Sequence, residues 1–151
     1  MKYSHLSQLE IGYIAGLIDS KGCFGVSRKK PGGGKSGNTL DWNIHFGSTN
    51  REIIIWLTEE KGVFDNFYIG GKTKTGKDFY VAYLNSKESC KEFLETFLPF
   101  LRIKREVASV MLELIKLYNP KRGKRYELSP KEVCLYEKIR RLNSNKGGRK
   151  K

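Results

Sequence analysis

The segments 23–29 and 40–46 alternate apolar and polar side chains with a period of two residues, which is typical of β-strands with one buried face. The apolar positions are Phe24, Val26, Trp42, Ile44 and Phe46, and the polar positions are Ser27, Lys29, Asp41, Asn43 and His45. Such polar groups can hydrogen-bond nucleobase edges, since Asn pairs with adenine, Lys pairs with guanine, and Asp accepts from cytosine. A solvated surface has the same composition, so the alternation alone leaves both interpretations open.

A second basic group lies further along the chain, at Lys72, Lys74 and Lys77. These lysines are predicted to occupy a turn between a strand that begins near Tyr68 and another at 79–84. Ammonium groups in such a turn suit contacts with phosphates and contacts with solvent equally well. Tyr83, in the second of these strands, is a further candidate for contact with bases.

The charge of the chain favours a polyanionic partner. Its 151 residues contain 29 Lys and Arg against 16 Asp and Glu, giving a net charge of +13, so DNA, RNA and an anionic membrane surface are the candidates. No apolar run approaches the roughly 20 residues of a membrane span, and the first residues do not resemble a signal peptide. Cys23, Cys90 and Cys134 are far apart in apolar patterns, which predicts reduced core thiols in an intracellular protein of a prokaryotic cytoplasm or an organelle.

The segment 7–22 is predicted to form the helix around which the chain is organised. Ser7 and Glu10 have the spacing of a capping box, and Gly22 is a stop signal. Gly12 and Gly16 lie one turn apart inside the helix, where each costs about 1 kcal/mol relative to alanine. With Ala15 they predict a smooth strip that a second backbone can approach closely.

The run Ile14-Ala-Gly-Leu-Ile-Asp-Ser-Lys-Gly22 closely resembles the LAGLIDADG motif of homing endonucleases. A second stretch, Leu98-Pro-Phe-Leu-Arg-Ile-Lys-Arg105, is similar to a family segment that precedes a long helix. The resemblance implies that Lys104 lies near the scissile phosphate, that Asn50 helps to position water, and that Ser20 offers a backbone carbonyl to a metal ion. It also implies that the residue at position 21 should be acidic, whereas this chain has Lys21.

The predicted order of elements also resembles the family branch that has one motif per chain. The order is α, β, β, α, β, β, α, α, α, with later helices at about 50–61, 88–97, 104–118 and 129–142. The resemblance implies an α+β fold in which helices cover one face of a four-stranded antiparallel DNA-binding saddle. We expect one domain at 1–143, followed by a basic and disordered tail at 144–151.

The resemblance further implies a homodimer on a pseudo-palindromic DNA duplex of about 20 base pairs, with no role for a membrane. Its dimer interface would contain Gly12, Ala15, Gly16 and Asp19. The parent activity would be Mg²⁺-dependent hydrolysis of a phosphodiester bond. Because a lysine ammonium group has no acceptor for a metal ion, we expect Lys21 to weaken or abolish metal binding and to impair cleavage.

Two other functions are compatible with the same scaffold. An RNA maturase would not require the acidic residue, and the basic segments 121–125 and 146–151 could hold RNA. A transcription regulator would require only the DNA-binding saddle. Exposed aromatic residues at positions suited to stacking on single-stranded RNA are not evident from the sequence.

Overall fold

A computed structural model describes residues 2–29, 39–121 and 126–144. Its elements follow the predicted order and have the bounds α1 (Gln8–Lys21), β1 (Gly22–Lys29), β2 (Thr39–Ser48), α2 (Arg51–Ile55), β3 (Asn66–Lys72), β4 (Asp78–Leu84), α3 (Lys87–Phe97), α4 (Arg105–Leu117) and α5 (Pro130–Ser144). A π-helical turn, Trp56–Glu60, continues α2, and a 3₁₀ turn, Leu98–Phe100, follows α3. The predicted α+β fold class is confirmed.

The four strands form one antiparallel sheet in the order β1-β2-β4-β3. In its register, Cys23 lies opposite His45, and His45 lies opposite Tyr83 on the next strand. Ser27 and Asp41 are paired further along the first two strands. The end of β1 that follows α1 is therefore level with the last residues of β4, and Ser27 lies about 13 Å away along the strand.

The helices cover one face of this sheet. Phe24, Trp42, Ile44 and Phe46 are buried beneath them, as the alternation predicted. Helix α4 contributes a continuous apolar stripe that is also buried, consisting of Val107, Val110, Met111, Leu114, Ile115 and the following Tyr118. This one-sided packing leaves the other face of the sheet, which we call the outer face, uncovered by helices.

Local capping fixes where the helices begin. Ser7 and Glu10 form the predicted capping box of α1, and Ser129 and Glu132 form that of α5. Asn50 is the cap of α2, and its side chain accepts a hydrogen bond from the N–H group of Ile53. These caps satisfy backbone N–H groups that have no partner inside the helix.

Several details differ from the sequence predictions. Gly22 follows α1 in an extended conformation (φ −71°), so its role is steric: a Cβ there would lie 2.6 Å from Ile18 Cγ2. Of the cysteines only Cys90 is a buried core thiol, because Cys134 is exposed and Cys23 is half-buried on the outer face. Ser144, which we expected in the tail, belongs to α5. The rest of the tail, the loop at 30–38 and most of the basic segment 121–125 lie outside the described residues. Within the described residues, no helix has the length and apolar character needed to cross a membrane.

Candidate functional site

Helix α1 has two apolar faces with different surroundings. Its buried face carries Ile11, Ile14, Ala15, Ile18 and Asp19. The opposite face carries Leu9, Gly12, Tyr13, Gly16 and Ser20, all of which are exposed. The prediction that Ala15 belongs to the exposed strip is wrong, because this residue is 1% exposed and packs in the core of its own chain. The exposed strip is instead formed by the two glycines between Leu9 and Tyr13.

Asp19 fastens the end of α1 to the segment before α4. Its carboxylate accepts hydrogen bonds from the backbone N–H groups of Arg102 (3.0 Å), Ile103 (3.0 Å) and Lys104 (2.8 Å). Burial alone would raise the pKa of this carboxyl group, but the three hydrogen bonds outweigh burial and the pKa is lowered. Asp19 therefore braces the helix end within one chain, and its place in the dimer interface stays a prediction.

The side chain of Lys104 reaches the same helix end. Lys104 is buried, and its Nζ donates a hydrogen bond of 3.0 Å to the backbone carbonyl of Asp19. A cation at this position complements the negative end of the helix dipole. The structure thus places Lys104 at the tip of α1, next to Ser20 and Lys21.

Lys21 lies at that tip with its side chain exposed, and no hydrogen bond or ion pair links it to another described residue. It lines a cavity of about 490 Å³ whose floor is the outer face of the sheet. The other lining residues are Cys23, His45, Gly47, Ser48, Thr49, Tyr68, Phe79 and Val81. An ammonium group without a partner therefore stands at the border between the helix tip and the outer face.

Ser20 and Asn50 both make local hydrogen bonds. Ser20 Oγ donates to the carbonyl of Leu17 at 2.9 Å. Asn50 Oδ1 accepts from Ile53 N–H at 3.3 Å, and its own N–H donates to Ser48 Oγ, so Asn50 adjoins the cavity that contains Lys21. Three of the residues that the resemblance named, Ser20, Lys21 and Lys104, thus lie at one helix tip, whereas Asn50 is connected to this region only through Ser48, which lines the same cavity as Lys21.

The predicted base-contacting residues lie on the outer face. Ser27 and Asn43 are exposed there, whereas Asp41, His45 and Tyr83 are half-buried. His45 Nδ1 and Asn43 Oδ1 are hydrogen-bonded partners along β2. Three exposed lysines lie at or beside the β3–β4 turn, namely Lys72, Lys74 and Lys77. Lys72 Nζ lies 3.9 Å from Asp78 Oδ1. Lys29 ends β1, but its side chain lies outside the described part of the structure.

Sequence reasoning missed aromatic residues on this face. Tyr68 is 53% exposed and Phe79 is 38% exposed, and both line the cavity together with Val81. The expectation concerned only aromatic residues suited to stacking on single-stranded RNA, and the exposure of Tyr68 and Phe79 does not by itself test it. Strand β4 is apolar on both faces, so it is the pairing with β2, where Gly47 lies opposite Val81, that places residues 79 and 81 on the outer face.

The residues at the helix tip do not fit a divalent metal site. Lys21 is a cation, and the Asp19 carboxylate is already bound by three backbone N–H groups. Among the described residues, no group of three or more His, Cys, Asp or Glu side chains could hold a metal ion. Mg²⁺ prefers carboxylates and water as ligands, and this tip offers no free carboxylate.

Comparisons with known proteins establish the fold. No protein-family model and no curated protein matches the chain. Among solved structures, the homing endonuclease I-CvuI in complex with the I-CreI target is 19% identical, with a TM-score of 0.62, covering 95% of this chain and 86% of that one. The group I intron-encoded homing endonuclease I-CeuI, complexed with DNA, is 16% identical, with a TM-score of 0.67, covering 95% and 72%. The archaeal intron-encoded I-Vdi141I, also complexed with DNA, is 18% identical, with a TM-score of 0.60, covering 91% and 98%. The chain therefore has the fold of these homing endonucleases.

Proposed function

We propose that this protein binds double-stranded DNA sequence-specifically as a two-fold dimer, and that Lys21 leaves it deficient in cleavage. The observation that carries the proposal is the uncovered outer face of the sheet. Base-pairing side chains lie on this face, exposed lysines lie at its rim, and a partnerless lysine stands at the helix tip beside it. Three of the structural neighbours, I-CvuI, I-Vdi141I and I-CeuI, are complexes with DNA.

The outer face suits the major groove of a duplex. A two-stranded ribbon fits this groove, and each base pair presents a distinct pattern of donors and acceptors there. Asn43, Asp41 and Ser27 supply groups that can read such a pattern. Lys72, Lys74 and Lys77 contact phosphates, which adds affinity without sequence preference.

The exposed strip on α1 supports a dimer. A Cβ added at Gly12 or Gly16 would meet nothing within 4 Å in the chain, so neither glycine is required by packing within one subunit. Leu9 beside them is 87% exposed, which is costly for a large apolar side chain in isolation. A second copy of the strip would bury Leu9 and Tyr13 and would explain the glycines, because a two-fold interface brings the same patch of each subunit together.

Lys21 favours the binding of DNA and disfavours its cleavage. Two motif tips at the dimer axis would present two ammonium groups to the phosphates of the duplex, where the parent activity would need metal-bound carboxylates. A lysine also complements the C-terminal end of a helix, whereas a carboxylate opposes it. The chain should therefore bind DNA in the absence of divalent metal.

A gel shift with two nucleic acids tests the proposal. A randomised DNA duplex pool and a structured intron RNA are offered to the full chain in the presence of a chelator, and bound duplexes are amplified over several rounds. We expect enrichment of a pseudo-palindromic duplex, with affinity falling steeply as salt rises. Preference for the intron RNA would support the maturase alternative, and failure to enrich any duplex would contradict the proposal.

A pair of lysine variants provides the matched control. Lys74→Ala should weaken binding to all duplexes alike and reduce the salt dependence, because a phosphate contact carries no sequence information. Lys91→Ala removes an equally exposed lysine from α3, on the opposite side of the sheet, and should leave binding unchanged. Equal effects of both variants would mean that only net charge matters.

A further inference from the structure

The outer face contains an apolar area directly beside the tip of α1. We call it the aromatic patch and define it by Tyr68, Phe79, Val81 and Tyr83. The rings of Tyr68 and Tyr83 are in contact, with centroids 5.6 Å apart. Val81 is paired with Tyr68 on β3 and with Gly47 on β2, so the patch lies on β3 and β4 and borders β2.

Gly47 allows Phe79 to lie flat along the sheet. A Cβ at position 47 would lie 2.3 Å from Phe79 Cζ, so only glycine leaves room for the ring above β2. Gly70 is similarly close to the patch, since a Cβ there would lie 3.1 Å from Val81 Cγ2. The patch is therefore a low, continuous apolar floor that does not project from the sheet.

Cationic and polar groups border this floor. Lys21, His45, Ser48 and Thr49 line the same cavity of about 490 Å³. A ligand of matching chemistry is anionic at its edge and apolar where it meets the floor. A duplex presents both features, since phosphates flank its major groove and thymine places a methyl group within the groove.

Within the aromatic patch, only the hydroxyl groups of Tyr68 and Tyr83 can form hydrogen bonds with bases. Phe79 and Val81 have no hydrogen-bonding side chain, and Gly47 opposite Val81 has no side chain at all. This differs from the far end of β1 and β2, where Ser27, Asp41 and Asn43 carry donors and acceptors. Two parts of one sheet therefore offer two kinds of contact.

We propose that the aromatic patch contacts thymine methyl groups, so that the bound duplex has A·T pairs at the positions of each half-site nearest its centre. The inference rests on the proposed duplex binding. The patch lies beside Lys21 at the motif tip, and two tips meet at the dimer axis, so the patch lies near the centre of the site. Ser27 and Asp41, further along the strands, read the outer positions.

Stacking of unpaired bases is the competing use of exposed aromatic residues. The planes of Tyr68 and Tyr83 are tilted by 55°, and the rings pack against each other. Successive bases stack on separate, similarly oriented ring faces, which this arrangement does not supply. The geometry therefore favours methyl contact in a duplex over stacking on a single strand.

Replacement of thymine by deoxyuridine tests the inference, because it removes the methyl group and leaves base pairing intact. The test uses the duplex that the wild-type chain selects from the randomised pool. Each central thymine replaced by deoxyuridine should weaken binding about fourfold, as expected for loss of one buried methyl group. The Phe79→Ala variant should bind the thymine duplex and the deoxyuridine duplex equally. If Phe79→Ala folds poorly, Tyr68→Ser provides the same test.

Phe100→Ala is the matched control. Phe100 is 43% exposed, close to the value for Phe79, but it lies in the 3₁₀ turn away from the outer face. This variant should keep the preference for thymine over deoxyuridine. A selected duplex with central G·C pairs, or one insensitive to deoxyuridine, would overturn the inference and leave duplex binding intact. Failure to bind any duplex would overturn both proposals, and binding of single-stranded RNA that depends on Phe79 would identify the patch as a stacking surface.

Discussion

The two faces of α1, a helix of about four turns, differ in their surroundings. One is packed within the chain and the other is exposed. The buried face ends at Asp19, whose carboxylate accepts hydrogen bonds from three backbone N–H groups. The backbone carbonyl of Asp19 accepts a further hydrogen bond from the side-chain Nζ of Lys104. The exposed face ends near Lys21, which has no partner among the described residues, and contains Gly16, above which the chain leaves open space. The first face is packed within one chain, whereas the second is the face that we propose packs against a second copy.

The two faces therefore have separate roles: the buried face holds the fold, and the exposed tip determines what the protein does with its ligand. The hydrogen bonds of Asp19 fix the position of the helix tip, and they do not depend on the identity of residue 21. A change of Lys21 can therefore alter what the tip does while the fold remains the same.

Asp19→Ala should lower the free energy of unfolding by about 3 kcal/mol or more, because it leaves three backbone N–H groups without their charged acceptor. Lys21→Ala, two residues away on the exposed face, should change it by no more than about 0.5 kcal/mol. Urea denaturation of both variants measures the contrast. Equal losses would show that the exposed tip also stabilises the single chain.

Gly16→Leu should weaken dimerisation about a hundredfold, because an added side chain overpacks a close helix contact on both sides of the two-fold axis. It should not destabilise the subunit, since a side chain at this position meets nothing in its own chain. Analytical ultracentrifugation of both proteins, with and without DNA, gives the dissociation constants. A wild-type chain that stays monomeric at micromolar concentration in both conditions would refute the interface.

The stability of the chain should fall in acid through Asp19. Its folded-state pKa is lowered, so its contribution is complete above the unfolded value of about 4 and is lost as pH falls through the folded value. Glu10 also contributes stability that is lost as pH falls, because its hydrogen bonds with Lys61 and Ser7 lower its pKa to about 2. Working at about 0.5 M salt screens the exposed Glu10–Lys61 pair and isolates the buried group. Asp19→Asn should then flatten the stability profile below pH 5, and an unchanged profile would contradict this assignment.

Lys21→Glu should have a smaller effect on stability than Asp19→Ala, lowering the free energy of unfolding by about 0.5–2 kcal/mol per subunit. A carboxylate opposes the helix dipole and, in the dimer, faces its symmetry mate. Urea denaturation in the presence of a chelator measures this term without compensation by metal ions. An increase in stability would show that Lys21 is unfavourable at the tip.

The sequence was sufficient for most of the fold because its signals are local. Capping at Ser7 and Ser129 and the alternation around Trp42 depend on neighbours within a few residues. The partners of Asp19 were not predictable in this way, since they lie 83 to 85 residues away along the chain. Phe79 and Val81 were missed because β4 is apolar on both faces, so only its pairing with β2 reveals which face is covered.

Cleavage of the selected duplex tests the central claim most directly. The wild-type chain and Lys21→Glu are each incubated with this duplex, once with Mg²⁺ and once with a chelator, while binding is followed in parallel. We predict that the wild-type chain binds the duplex in both conditions and cuts it in neither. Lys21→Glu should cut both strands when Mg²⁺ is present and neither strand when the chelator is present. If Lys21→Glu binds without cutting, the tip is not a former nuclease site and the maturase or regulator alternative gains support. Efficient cutting by the wild-type chain would contradict the account of Lys21.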